Sequence, residues 1–350
     1  MKKMLAAVYY GIKDIRVSET LIPALTDDNI IVKVHACAIC GTDLKIYNSG
    51  NPRCNPPRIL GHELVGTIDK VGSNVIGLNV GERITLATTV ACNSCEICAL
   101  GLQNMCPNAK PISYDFDGGF AEYLAIPPEA IKGGNLIRVP DNIPDDFAAL
   151  AEPVSCAINA QNLAGVDNGD IVLIIGGGPL GAIHSQVANI NGALKVLISQ
   201  RSEPRVSMLK KLQNAIIIDG NQNIGEIVKK ESNGLGADIV IVCAPGRKPQ
   251  EESVLYAKKG GIISLFASLP KGSSEITFDS RIIHYNELHI IGASDSRPEH
   301  VQEAINLMAD RRLDLANIIT HKIKLSDFHK GLKLMQDKES LKVLVYPGNM

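Results

Sequence analysis

The sequence predicts an α/β protein organised around a parallel, doubly wound sheet, and three observations predict it. The first is length, because 350 residues divide into about two domains at ~150 residues each. The second is the stretch 170–181, where a continuous apolar run ends in Gly176-Gly-Gly178-Pro179-Leu180-Gly181 and a helix-length segment, 182–191, follows. The third is the alternation after it. Apolar strands are expected at 196–199, 215–218, 238–243, 261–266 and 289–293, with helices over 223–232 and 249–258 between them, which makes a parallel sheet of about six strands. The last of these strands has no evident covering helix before it.

Each part of the glycine turn has a physical reason. Gly176 permits a tight turn, Gly178 lets backbone approach a pyrophosphate, and Gly181 lets the helix pack closely on the strand. A strand, a glycine turn, a helix and a second strand in that order form the fingerprint of a dinucleotide-binding Rossmann unit. The end of the second strand bears on the choice of cofactor. An acid there holds the ribose hydroxyls of NAD, whereas a 2′-phosphate needs a cation. Here Ser199 is followed by uncharged Gln200 and by Arg201 and Arg205, so NADP(H) is expected over NAD(H), with Glu203 as the competing ribose partner.

Composition excludes several classes. Lys+Arg number 35 against 37 Asp+Glu, for a net charge of -2, which lacks the basic excess of a chain whose main partner is a phosphate backbone. No nucleic-acid partner is expected. No run of 18 uncharged apolar residues occurs and the N-terminus lacks an export pattern, so neither a membrane span nor secretion is expected and the cytoplasm is the predicted compartment. Nine cysteines in such a chain fit metal ligation better than a disulfide framework.

Four of them, Cys92, Cys95, Cys98 and Cys106, are spaced to surround one point in a segment rich in loop formers, as a closed structural zinc site requires. Cys40, His62 with Glu63, and the distant Glu152 offer a thiolate, an imidazole and carboxylates, the mixed donor set of an open zinc site. Cys37, Cys54, Cys156 and Cys243 sit among apolar or small residues and read as buried thiols.

Taken together, Cys40-Gly-Thr42-Asp43, Gly61-His62-Glu63, the four-cysteine lobe, Gly118-Gly-Phe-Ala-Glu122-Tyr123, Ala151-Glu152-Pro153 and the glycine turn resemble the zinc-dependent medium-chain dehydrogenase/reductase family over essentially the whole chain. Glu152-Pro153 with Cys-Gly-Thr-Asp resembles its polyol (sorbitol-type) and threonine dehydrogenase branch. The resemblance implies a β-rich, GroES-like (chaperonin-10-like) catalytic domain of residues 1–153 and 294–350, carrying a zinc lobe at 90–108. The Rossmann domain of residues 154–293 is inserted into it. It also implies Cys40 and His62 as ligands of a catalytic zinc, with Glu63 or Glu152 as the third. Thr42 is then the proton-accepting hydroxyl and Asp43 the carboxylate that orients His62.

One departure is Lys45, where many relatives carry a proton-relaying histidine; it is either a solvated side chain or a binder of an anionic group, as is Arg53. The expected activity is reversible oxidation of a secondary alcohol of a polyol, cyclitol or sugar to a ketone. An amino alcohol such as threonine is the alternative substrate, and a non-catalytic NADP(H)-binding protein is the competing class. Pocket candidates are Tyr47, Asn55, Tyr114, Asp115, Asp295 and Ser296. The resemblance further implies two zinc ions per chain and a homodimer or homotetramer.

Overall fold

β-Branched runs such as Ile-Val-Leu-Ile-Ile and Asp-Ile-Val-Ile-Val favour extended backbone, and where both faces are covered they read as continuous apolar strands. In the computed structural model, which describes residues 2–213, 215–270 and 272–348, these runs build a six-stranded sheet with every pairing parallel. Its spatial order is Ile216–Asp219, Lys195–Gln200, Ile171–Ile175, Ala237–Val242, Ala257–Leu265, His289–Gly292. The reversal of direction beside Ile171–Ile175 is the switch point at which such sheets bind ligands.

The chain separates into two compact units. The first is Met1–Ser155, Asp295–Arg312 and Ile319–Met350, and the second is Cys156–Ser294 with Leu313–Ile318. The sequence assigned 294–350 whole to the first domain. Apart from shifts of one or two residues at 154–155 and 294, the difference is the short stretch 313–318, whose Leu313, Leu315 and Ile318 are buried and cluster with the second unit.

Two further expectations change. The helix expected over 249–258 stops early, as Arg247–Glu252 with a 3-10 turn Ser253–Leu255, because the next strand already begins at Ala257. The last strand of the sheet also has a helix before it, Ser280–Asn286, started by Asp279, whose side chain accepts from the Arg281 amide.

The first unit is β-rich. One sheet runs in the order Leu136–Arg138, Arg83–Leu86, Glu63–Val71, Ile30–Ala38, Lys342–Tyr346, Ile319–Lys324, with Tyr123–Ile126 also on Ile30–Ala38. A three-stranded sheet holds Lys3–Gly11 between Asp14–Leu21 and Arg58–Ile59. Its core includes Val32, Ile68, Ile84 and Leu124, with Phe120 edge-on to Phe328 at 4.7 Å between ring centroids. Register places two charged residues together. Glu63 is opposite Ala38, Ala38 is opposite Leu344, and Lys342 lies two residues from Leu344, on the same face.

In the second unit the helix Pro179–Ile190 buries His184 completely, edge-on to Phe266 at 4.6 Å, with Gln161 donating to its Nδ1 at 3.2 Å. Burial pushes this imidazole down to about 3. Its folded pKa lies below its unfolded value, so the unfolded chain binds the proton first and stability is lost as pH falls from about 6.5 towards 3. Urea unfolding across that window should show wild type losing on the order of 4 kcal/mol more than His184→Leu; equal slopes would refute the assignment.

Candidate active site

Cys40 caps the helix Gly41–Ser49, and the carboxylate of Asp43, three residues into it, accepts the Cys40 amide at 2.9 Å. This capping arrangement fixes the thiol at the helix N-terminus. His62 follows Gly61, whose φ is +94° and where a Cβ would meet the Cys37 sulfur at 2.7 Å and the Phe120 ring at 2.9 Å. Only glycine fits there. The Gly118-Gly-Phe motif is the other half of this junction, with Gly119 N donating to Gly61 O at 2.7 Å and Phe120 N to Leu60 O at 3.0 Å. The motif therefore fixes the loop that carries His62.

Donor atoms of Cys40, His62 and Glu63 lie within 4.8 Å of one another. Asp43, fully buried, puts Oδ1 3.8 Å from His62 Nδ1. Burial pushes the imidazole pKa of His62 down, but the Cys40 sulfur, Asp43 and Glu152 outweigh it and hold the group well above its ordinary value. Such a set of thiolate, imidazole and carboxylates, crowded and out of water, is suited to a divalent cation of borderline softness.

Glu63 has a further partner. The ammonium of Lys342 reaches both of its oxygens, and the two side chains are 1% and 0% exposed. Burial lowers the lysine pKa, but Glu63, Cys40 and Glu152 raise it further, so the cation is secure. Glu152 is buried at the start of the helix Ala151–Ala164 and is pushed up to about 7 by that burial, with Glu63 and Asp295 adding to the rise and His62 and Lys342 opposing it. The carboxylates of Glu152 and Asp295 approach within 4.8 Å.

Thr42 is half-buried on the first turn of the Cys40 helix, whereas Lys45 on the same helix is exposed. Tyr114 is half-buried, and its hydroxyl pKa is raised by burial and by Asp43 and Cys40. Asn55 and Asp115 are exposed, as is Arg53, whose guanidinium donates to Ala109 O at 2.9 Å.

The four-cysteine lobe is closed by a two-residue ladder, Thr89–Val90 on Lys110–Pro111. Its sulfurs stand 4.0 Å (Cys92 to Cys98), 3.5 Å (Cys95 to Cys98), 3.9 Å (Cys95 to Cys106) and 3.5 Å (Cys106 to Cys92) apart. A tetrahedral ion at about 2.3 Å from each sulfur gives edges of about 3.8 Å, so these residues fit zinc. The thiols already differ in acidity. Amide and hydroxyl donation from Ser94 draws Cys92 down to about 5, while burial and neighbouring sulfurs push Cys98 up to about 12. Among the other cysteines Cys37 and Cys54 are buried and Cys156 and Cys243 half-buried.

In the second unit, Gly176 has φ +104° and its amide donates to Ser199 O at 2.9 Å. A Cβ on Gly181 would stand 2.1 Å from Gly176 O. Gly178 caps the helix and Pro179 occupies its first turn, followed by half-buried Leu180. Gln200 Oε1 accepts the amides of Arg201 and Ser202 at 2.8 and 3.0 Å.

The two arginines face different places. Arg205 Nη1 lies 3.6 Å from where a Cβ of Gly178 would be, over the glycine turn. Exposed Arg201 lines a cleft of about 350 Å³ with Asn221, Asn223, Lys248 and Tyr256. Glu203 is exposed on the first turn of Glu203–Leu209.

Residues 26–141 match the alcohol dehydrogenase GroES-like domain family and residues 179–310 the zinc-binding dehydrogenase family. A sorbitol dehydrogenase of Halalkalibacterium halodurans is 30% identical over 352 residues, covering 99% of each chain. The chain belongs to the zinc-dependent medium-chain dehydrogenase family. An L-threonine 3-dehydrogenase of Pyrococcus furiosus is 32% identical over 332 residues, 93% of each chain, so the dehydrogenase falls in the polyol and threonine branch. Among solved structures, the alcohol dehydrogenase of Thermus sp. ATN1 superposes with a TM-score of 0.89 at 28% identity, covering 98% of this chain and 99% of that one. A protein of Sinorhizobium meliloti 1021 described as a zinc-binding dehydrogenase, solved with NADP, gives 0.89 at 28%, covering 99% and 100%. The dehydrogenase is thus an oxidoreductase acting on CH–OH donors.

Sequence reasoning missed Lys342 and the tie between Thr89 and Asp295. For Lys342 a signal existed, a lysine opening the apolar strand Lys-Val-Leu-Val-Tyr, but nothing in the sequence said which acid it faces. Lys342→Met leaves the buried Glu63 without a counter-charge and should cost about 3–5 kcal/mol in denaturant unfolding of the dehydrogenase. Lys342→Arg should recover most of that loss, and a neutral Lys342→Met would overturn the pairing's role.

Proposed function

We propose that this dehydrogenase reversibly oxidises a secondary alcohol of a polyol, cyclitol or sugar to a ketone, with NADP(H) preferred over NAD(H) and two zinc ions per chain. The observation that carries this reading is the convergence of Cys40, His62 and Glu63 within 4.8 Å, with Glu152 close enough for its charge to act on His62. Cys40 and His62 hold one zinc and the four-cysteine lobe holds the other. With both Glu63 oxygens engaged by Lys342, Glu152 is the better third donor for the first ion.

Bound there, zinc would supply Lewis acidity at the substrate oxygen, and a nicotinamide cofactor would supply the hydride acceptor. The chain does the rest. Asp43 orients His62, Lys342 keeps the local charge from becoming excessively negative, and the Thr42 hydroxyl takes the substrate proton on its way to solvent. Lys45, exposed as it is, has no part in that transfer.

The preference for NADP(H) is supported by the absence of an acid at Gln200, by Arg205 over the glycine turn and by Arg201 in a cleft whose Lys248 is already paired with Glu252 at 3.4 Å. The amino-alcohol reading is favoured by the Pyrococcus relative and by the paired carboxylates of Glu152 and Asp295. Nine cysteines with no disulfide among the described residues suit a reducing cytoplasm, and the edge strand His289–Gly292 suits pairing with a second copy.

A screen of polyols, cyclitols, sugar phosphates and L-threonine with NADP⁺ and NAD⁺ in parallel tests the substrate class. Cys40→Ser and His62→Ala should abolish turnover while cofactor binding stays measurable; turnover by zinc-free protein would refute the mechanism. Replacing Arg201 and Arg205 with Ala should raise KM for NADPH at least about tenfold more than for NADH, as loss of charge-assisted contacts to one phosphate implies. Equal increases would remove the 2′-phosphate assignment.

A further inference from the structure

We propose that Asp295 is a substrate-binding residue, accepting a hydrogen bond from a donor, hydroxyl or ammonium, on the carbon next to the one being oxidised. This rests on the reading of the chain as a secondary-alcohol dehydrogenase and gives that reading a recognition element.

The argument starts from how Asp295 is held. Its backbone is left-handed, φ +58°, a conformation that aspartate tolerates better than most side chains. One carboxylate oxygen accepts the Ser296 amide at 2.7 Å and the other accepts the Thr89 hydroxyl. Thr89 is fixed in turn, because Asn135 donates to its carbonyl at 3.0 Å and to that of Ala87 at 2.7 Å. The Ser296 hydroxyl pairs with that of Ser155 at 2.6 Å. The carboxylate is therefore oriented before any substrate arrives, and a group set in advance binds without a further ordering cost.

Its location supplies the second part. Asp295 lies within 4.8 Å of Glu152 and close enough to His62 for their charges to interact. With Glu152 taken as the third donor beside Cys40 and His62, a carboxylate within 4.8 Å of it borders the place where the carbinol binds and can meet the neighbouring carbon's substituent. Charge decides what that substituent is. With Glu152 given to the metal, the Asp295 carboxylate is the charge left to meet that substituent, and it attracts hydroxyl and ammonium donors and repels a phosphate. Arg53 is a cation whose charge also reaches Asp295, but it is exposed and its guanidinium donates to Ala109 O, so solvent screens it.

The test compares zinc-loaded wild type, Asp295→Asn and Asp295→Ala on butane-2,3-diol, 3-aminobutan-2-ol and butan-2-ol, with bound zinc quantified in each protein. The readout is the ratio of kcat/KM for each bifunctional substrate to that for butan-2-ol, which general damage to the metal site does not move. Wild type should favour the diol or the amino alcohol, and Asp295→Ala should lower that ratio about tenfold to a hundredfold, the usual worth of a hydrogen bond to a charged group. Asp295→Asn, which keeps the shape and one acceptor, should lower it less and remains informative if the alanine variant fails to fold. A ratio unchanged within about twofold in Asp295→Asn and Asp295→Ala overturns the proposal alone, as does a wild type indifferent to the second donor. Zinc-loaded wild type inactive on all three substrates overturns the parent reading and this one with it.

Discussion

The buried pair of Lys342 and Glu63 is the interaction on which the first unit's chemistry depends. Without a cation among them, Asp43, Glu63, Glu152 and Asp295 would crowd like charges into a volume from which water is excluded, at a cost that rises steeply as the local dielectric falls. Lys342 neutralises one of these charges permanently. What remains negative is the part that a divalent ion can use. The lysine thus balances Glu63, and in the ligand set proposed above it leaves Cys40, His62 and Glu152 as donors.

The two prospective metal sites meet opposite requirements. In the lobe, four sulfurs stand at the spacing of one tetrahedron, which leaves no coordination position for anything else. Around Cys40 the donors are mixed and are carried by a helix N-terminus, a glycine-pinned loop and a distant helix, each held by its own hydrogen bonds. The lobe needs only its short ladder and its ion. The open site needs the whole β-rich unit to keep its donors apart until a metal and a substrate bring them into use.

Much of this was legible in the sequence because it is local. The glycine turn, the strand runs and the cysteine spacing each encode their geometry within a few residues, and the six-stranded parallel sheet follows from them. The less legible parts are non-local or competitive. The helix expected over 249–258 lost its second half to the strand starting at Ala257, since pairing with Ala237–Val242 outweighs local propensity. Lys342 and Glu63 are 279 positions apart, and no pattern short of the folded register joins them. Lys45 is legible only in part, because its position in a motif suggests a role and the structure adds only that the side chain is exposed. The Gly118-Gly-Phe motif had a clear identity but no clear reason until the backbone bonds to Gly61 and Leu60 supplied one.

The strand Lys342–Tyr346 has a consequence for how the protein is made. It pairs with Ile30–Ala38, near the opposite end of the chain. A ribosome releases the chain N-terminus first, and domains generally fold as they emerge. Cys40, His62 and Glu63 are made first, yet the lysine that makes their neighbourhood tolerable follows Glu63 by 279 positions. The Rossmann unit, contained in between, can complete itself during synthesis, whereas the β-rich unit must wait, with a long loop to close. Commitment of the catalytic unit therefore waits for that strand, and a nascent chain arrested before Lys342 holds a complete parallel-sheet unit and an unfinished metal site.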